Sequence, residues 1–215
     1  MSTAVIVFAK APVPGLAKTR LAPALGADGA AVLAERMLHH TLTQATAADL
    51  GPVELCAAPD TTHPVLQAAA AKHGAVLTAQ GKGDLGLRMH RAFVRCLSRH
   101  GRALLIGTDA PSLDAAAMRR AATALADHDA VFMPAVDGGY ALVGQRRADP
   151  RLFSGMTWSH ARVMADTRER LHASGVRWAE LAPVADIDEP ADLVHLPAEW
   201  LVGLHAGSKP QKSGA

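Results

Sequence analysis

The chain has 215 residues, 49% of them hydrophobic and 4% aromatic, and a formal net charge of +2. That supplies a sizeable core, in one large domain or two small ones. So small a charge argues against nucleic acid or a membrane surface as partner, and no apolar run approaches the roughly 20 residues of a membrane span.

No basic segment precedes a long apolar one at the amino terminus, so no signal peptide is expected. Cys56 and Cys96 are far apart in sequence. They read as buried small hydrophobes of a reducing compartment, not as a disulfide or zinc framework. These features together predict a soluble, cytoplasmic protein.

Ala4-Val5-Ile6-Val7-Phe8 is short, apolar and β-branched, which reads as a buried parallel strand. The next stretch, to Pro23, holds three prolines and a glycine and forms a shaped loop. It carries Lys10, Lys18 and Arg20 beside Gly15 and Thr19. A loop leaving the carboxyl end of a parallel strand sits where open α/β sheets bind ligands. Arginine brings a planar fork of donors and lysine a point charge, a pairing suited to polyphosphate. On charge alone the same loop reads as a solvated basic segment.

Gly26-Ala27-Asp28 offers a helix start, and Leu33, Met37, Leu38 and Leu42 recur at helical spacing to about Ala48. Val53–Ala57 is a second strand, a short helix opening at Pro64 closes at Gly74, and Ala75–Leu77 is a third, short strand. Gly81, Gly83 and Gly86 make a loop in which Asp84 can cap the following helix, whose stripe is Leu85, Met89, Phe93 and Leu97. Arg88, one turn on, is placed to reach a base or phosphate, or to face solvent.

Arg102–Gly107 is a buried strand that ends at Thr108-Asp109-Ala110-Pro111, followed by a helix from Asp114 to Ala126 and the strand Ala130–Pro134. Asp137-Gly138-Gly139-Tyr140 is a tight turn, and Ala141–Gly144 returns as a strand. The tyrosine is the chain's only one, beside two glycines that let a ligand approach the backbone. Phe153 to Trp158 is irregular, Ser159 is expected to cap a helix to about Ala173, and Val176–Ala179 is a last strand. Glu189-Pro190 suits the first turn of a short helix. Alternating strands and helices predict an α/β fold with a mostly parallel sheet covered on both faces, in one domain over residues 1–204. The hairpin around Asp137 would then form the acceptor side of a cleft. Residues 205–215, small, polar and basic, are expected to be disordered.

Asp109, at a strand end, fits one of the one or two carboxylates that magnesium takes when it binds with nucleotide phosphates, and Asp188 or Asp186 fits the second. Turn and helix caps are the plain alternatives for these residues. The histidines show no pair at metal-ligand spacing; His160, near Trp158, is the one closest to the chemistry. Lys18 lacks the preceding glycine of a Walker loop, no G-x-G-x-x-G follows the first strand, and no G-x-S-x-G elbow is present.

Five blocks occur in order: Phe8 to Leu21, Gly83-Asp-Leu-Gly-Leu-Arg-Met89, Gly107-Thr-Asp-Ala-Pro-Ser-Leu113, Pro134 to Gly144, and Asp186-Ile-Asp-Glu-Pro-Ala-Asp-Leu193. Over about residues 3–195 the chain resembles the bacterial glycosyltransferase-A-like family of unknown function often labelled as an arsenosugar-biosynthesis glycosyltransferase. The first and last blocks are also similar to phospholactate guanylyltransferase and, more distantly, to molybdenum-cofactor nucleotidyltransferases. The resemblance implies a GT-A fold, a Rossmann-like three-layer sandwich. It implies that Lys18 and Arg20 hold nucleotide phosphates, that Asp109 binds the metal, Mg2+ or Mn2+, and that Asp188 completes its binding. Many GT-A glycosyltransferases carry Asp-x-Asp at the central strand; here Gly107 and Thr108 precede Asp109. The guanylyltransferase-like relatives lack the Asp-Gly-Gly-Tyr block, so their acceptor does not transfer.

Two enzymatic readings follow. The first, placed slightly ahead because of the paired cations after strand one, is nucleotidyl transfer. A nucleoside triphosphate would react with a small phosphorylated or phosphonate acceptor and release pyrophosphate. The second is glycosyl transfer from a nucleotide sugar, with Asp137 as base. Lys10, Gly15, Lys18, Thr19, Arg20, Gly83, Asp84, Arg88 and Thr108 are assigned to the nucleotide. Asp137, Gly138, Gly139, Tyr140 and Trp158 are assigned to the small-molecule acceptor. A nucleotide-binding protein without catalysis is the third reading, and oligomeric state, homodimer included, stays open.

Overall fold

The structure is a computed structural model that describes residues 2–204. The tail assigned to residues 205–215 lies outside the described residues. No helix among the described residues is long and apolar enough to cross a membrane.

A seven-stranded sheet has the order β3-β2-β1-β4-β6-β5-β7. Its strands are β1 (Thr3–Lys10), β2 (Val53–Ala58), β3 (Val76–Ala79), β4 (Arg102–Ile106), β5 (Ala130–Pro134), β6 (Tyr140–Gln145) and β7 (Trp178–Glu180). β1 pairs in parallel with both β2 and β4. β6 alone runs antiparallel, between β4 and β5. The hairpin read at Asp137 is therefore real, and it is wedged into the sheet rather than added at its edge.

The helices are α1 (Ala22–Ala47), α2 (Pro64–His73), α3 (Leu85–Leu97), α4 (Ala115–Ala124), α5 (Val163–Ser174) and a short α6 (Ala198–Leu201). Successive β1 residues point to opposite faces. Val5 and Val7 pack with Leu38, Leu42, Leu66 and Met118 of α1, α2 and α4. Ile6 and Phe8 pack with Met89, Phe93 and Leu171 of α3 and α5. A third cluster ties Ile187, Leu196 and Leu204 to Leu25, Leu33 and Met37 of α1. This holds the segment that carries the late acids against the first helix.

A helical turn from Ala22 precedes the helix expected after Gly26; at Gly26 the backbone leaves the helical region (φ 72, ψ 167), so the two stretches of α1 meet there across a kink. One boundary differs from expectation. Ser159 does not cap α5. Its backbone is left-handed, φ 64, and the cap position falls to Arg162. Asp84 and Asp114 do cap, accepting the N–H groups of Leu87 and Ala117 at 2.7 Å. Pro190–His195 is a 3-10 turn with a reciprocal capping box between Glu189 and Asp192.

Because every strand but β6 runs the same way, the residues that follow β1, β4, β5 and β7 gather at one edge of the sheet. That is the edge where open α/β sheets bind ligands.

Candidate active site

After β1 the chain turns at Val13 and reaches Lys18, whose backbone is left-handed (φ 47, ψ 43), before the 3-10 turn Thr19–Leu21 leads into α1. A lysine tolerates that conformation only where its surroundings hold it. They do: the Lys18 ammonium lies 2.5 Å from Asp109 Oδ1 and 4.0 Å from Asp188 Oδ1, and donates to the Ile187 carbonyl. Its side chain is only 8% exposed. Arg20 is on the rim, bonding Asp188 Oδ2 at 2.8 Å and lying 3.9 Å from Glu189. Lys10, Gly15 and Thr19 are exposed on the same loop.

The Ile187 N–H donates to the Asp109 carbonyl at 2.8 Å, which fixes the late acidic segment beside the end of β4. Asp188 is the acid that meets Lys18 and Arg20. Asp186 lies instead in the field of Asp137. Burial first, then Asp137, then Asp192 and Asp188, push the Asp186 carboxyl above the usual carboxylate range. Asp137 is exposed, and one of its oxygens accepts the Gly139 N–H at 2.8 Å.

A hollow of about 290 Å³ is lined by Asp109, Asp137, Asp186, Tyr140, Trp158 and His160, among others. The Tyr140 ring meets Phe132 edge-on at 5.4 Å and Trp158 at 6.5 Å. Burial pushes its phenol up, so it is a neutral wall and not a base. A second hollow of similar volume shares Asp137 and Asp186 and is otherwise lined by Arg20, Asp188, Glu189 and His195. Another hollow, of about 420 Å³, runs along α5 by Glu169 and Arg170 and holds none of these acids. Arg170 there donates to the carbonyls of Arg151, Ser154 and Gly155, a structural use.

The glycine loop lies apart from the Asp109 hollow, touching it through Leu85 alone. Asp84 is engaged as the cap of α3. Arg88 donates to the Asp84 carbonyl at 3.2 Å and to Gln80 Oε1 at 3.1 Å. Gln80 is buried and donates to the carbonyls of Ala9 and Cys56, so this loop sits over the ends of β1 and β2. Thr108 is half-buried beside Asp109. Sequence reasoning missed Gln80, His195 and the Ile187 carbonyl. The first two carry no local signal, and a backbone oxygen carries none at all.

Gly138 packs closely against another segment of the chain. A Cβ on it would fall 2.0 Å from the Ala161 carbonyl oxygen, at φ +92. The missing side chain makes room for the Ala161 carbonyl.

For a divalent ion the donor set is all hard oxygen, which suits Mg2+ or Mn2+. Asp109 and Asp188 already converge on one cation, the Lys18 ammonium. Among the described residues no group of three or more His, Cys, Asp or Glu side chains is arranged to hold a metal. Phosphate and water would therefore complete the shell, as is usual for magnesium with nucleotides.

Fold and cleft together define a GT-A-like transferase, with a fold that nucleotidyltransferases share. The chain belongs to the family described as "Uncharacterized protein conserved in bacteria (DUF2064)", matched over residues 41–160. A crystal structure from Desulfovibrio desulfuricans G20, provisionally described as a nucleotide-diphospho-sugar transferase, is 30% identical. The match has a TM-score of 0.82 and covers 90% of this chain and 85% of that one. Two more distant structures show the shared fold. A cytidylyltransferase from Leptospira borgpetersenii is 12% identical with a TM-score of 0.61, over 92% of this chain and 88% of that one. Glucosyl-3-phosphoglycerate synthase from Mycobacterium tuberculosis, in complex with Mn2+, UDP and glucosyl-3-phosphoglycerate, is 10% identical with a TM-score of 0.54, over 90% and 75%. No curated protein matches.

Proposed function

We propose that the protein transfers a glycosyl group from a nucleotide diphosphate sugar to a hydroxyl acceptor, with Mg2+ or Mn2+. One observation carries this reading over nucleotidyl transfer. Lys18 and Arg20 are already matched by Asp109, Asp188 and Glu189, while Asp137 and Asp186 have no cationic partner among the described residues. A triphosphate and an anionic acceptor would bring more negative charge than these two cations offset. A diphosphate donor and a neutral hydroxyl fit the balance better.

In this reading Lys18 and Arg20, with Lys10 and the Gly15–Thr19 backbone, hold the diphosphate. Gly83, Arg88 and Thr108 lie toward the nucleoside. Asp109 and Asp188 hold the metal, which when bound offsets charge on the departing diphosphate. Asp137 accepts the acceptor's proton. The Gly139 N–H fixes one of its oxygens and leaves the other to face the hydroxyl. Tyr140 and Trp158 wall the acceptor. The work is alignment and charge neutralisation, and no covalent nucleophile is required.

Nucleotidyl transfer is the second reading, favoured by the position of two cations directly after β1. The test is a panel of nucleotide sugars and nucleoside triphosphates with Mg2+ or Mn2+. Release of a nucleoside diphosphate is expected. Pyrophosphate as the sole product would overturn the glycosyl reading in favour of the second. Thermal stabilisation by nucleotides with no turnover would leave a binding protein.

A further inference from the structure

The hollow beside Asp137 carries charge of one sign. Its ionisable lining is Asp109, Asp137, Asp186, Tyr140 and His160, with no lysine or arginine. Asp109 is matched by Lys18, which leaves Asp137 and Asp186. His160 adds no free group: Nε2 donates to the Thr157 carbonyl at 2.9 Å and Nδ1 accepts the Arg162 N–H at 3.2 Å. Beyond Ser159, the remaining wall is largely apolar and aromatic, from Leu85, Tyr140, Trp158 and Val163 among others.

That wall is built rather than incidental. The strap from Trp158 to Val163 is clamped at two points where a side chain is missing. A Cβ on Gly86 would fall 2.8 Å from Trp158 Cζ2, and one on Gly138 would fall 2.0 Å from the Ala161 oxygen. The Met164 N–H donates to the Gly138 carbonyl at 2.8 Å and closes the second clamp. Between the clamps Ser159 is held left-handed. Holding a non-glycine residue there needs surroundings that over-determine it.

We propose that this hollow admits a small hydroxyl compound that carries no phosphate or other negative charge and lays an apolar face on Tyr140 and Trp158. The inference rests on the transferase reading only in calling that compound the acceptor. An anion lying by Asp137 and Asp186 would face two carboxylates that no lysine or arginine of the lining offsets. Hydroxyl groups donate to carboxylates, and the C–H face of a ring packs on aromatic surface. A volume of about 290 Å³ suits a small molecule.

The test uses matched pairs of an uncharged compound and its monophosphate: glucose and glucose 6-phosphate, glycerol and glycerol 3-phosphate, phenyl glucoside and its 6-phosphate. Binding to the full chain is read by ligand-observed NMR, first alone and then with Mg2+ and UDP. The uncharged member of a pair is expected to bind about tenfold tighter or more, with phenyl glucoside the strongest. Equal or tighter binding of the phosphorylated members overturns the proposal, as does the failure of every compound to bind. Ser159→Lys places an ammonium at the rim and is expected to shift the preference about tenfold toward the phosphates, while Ser159→Gln leaves it unmoved. An unchanged ratio in Ser159→Lys puts binding elsewhere and also overturns the proposal. A calorimetric titration with nucleotide sugars tests the other reading separately. Selective binding of uncharged compounds without donor binding removes the transferase and keeps the site. Donor binding with a preference for phosphorylated acceptors does the reverse.

Discussion

Four aspartates stand along one edge of the sheet in two unlike pairs. Asp109 and Asp188 converge on Lys18, and Arg20 holds Asp188 from outside. Asp137 and Asp186 line the neighbouring hollow, where burial and the Asp137 charge raise the cost of ionising Asp186. The first pair is matched by cations of the protein itself. The second is left with unmatched charge, which a folded chain retains where a ligand or a proton is to be received. The contrast separates a side that grips a charged donor from a side that accepts a proton.

The largest expected effect comes from breaking the matched pair at its acid. Asp109→Ala removes the strand-end carboxylate and is expected to lower metal-dependent turnover about a thousandfold or more. Asp109 is 56% exposed, so the fold should survive, as checked by circular dichroism beside the steady-state rates. Full activity in that variant would refute the metal assignment. Lys18→Met comes next. It leaves the two acids without their shared cation and should weaken nucleotide binding about tenfold, read by calorimetry; an unchanged dissociation constant would remove Lys18 from the phosphate cradle.

The unmatched side breaks through packing instead. Gly138→Ala combines a positive φ with a Cβ placed 2.0 Å from the Ala161 carbonyl. It should cost about 2 kcal/mol, at the large end of strained backbone positions. For a chain of this size that lowers Tm by about 4–8 °C in a calorimetric scan. The strap would move with it, so acceptor KM should rise more than donor KM. A variant that melts like the parent would show that the strap yields freely and is not a fixed wall.

Much of this was legible in the sequence because it is local. β1 and β4 announce themselves as apolar, β-branched runs, and the loop after β1 carries its cations in plain view. Asp84 and Asp114 sit where caps belong. The turn at Asp137 was legible as a hairpin, but its place between β4 and β5 was not, since strand order depends on which faces bury each other. Charge matching was also hidden: Lys18 and Asp109 are 91 positions apart, and nothing local says that they touch. The packing around Gly138 was hidden for a related reason. What fills the space of a missing side chain is a distant segment, here Ala161. Ser159 was misread because a serine before an apolar stripe is an ordinary cap, and only the packing of the strap forces it left-handed.

The comparison sharpens least, though still measurably, away from the cleft. Glu180 is paired with Arg168 at 2.8 Å. The hydrogen bond from Arg168 chiefly, and a further one from Trp178, hold its carboxyl below the usual range against partial burial. A depressed folded value means the pair stabilises the fold above the ordinary glutamate range and ceases to as pH falls through the folded value. Both side chains are partly open to water, so screening limits the contribution to less than about 1 kcal/mol. Glu180→Gln should therefore lower Tm by a degree or two near neutrality, with the difference from the parent fading as pH falls below about 4.5. It should leave nucleotide binding untouched, because Glu180 stands on the edge strand β7 and not among the residues that meet Lys18. A change in donor affinity in this variant would mean that the outer edge of the sheet and the cation-matched acids are coupled, and the division drawn between them would fail.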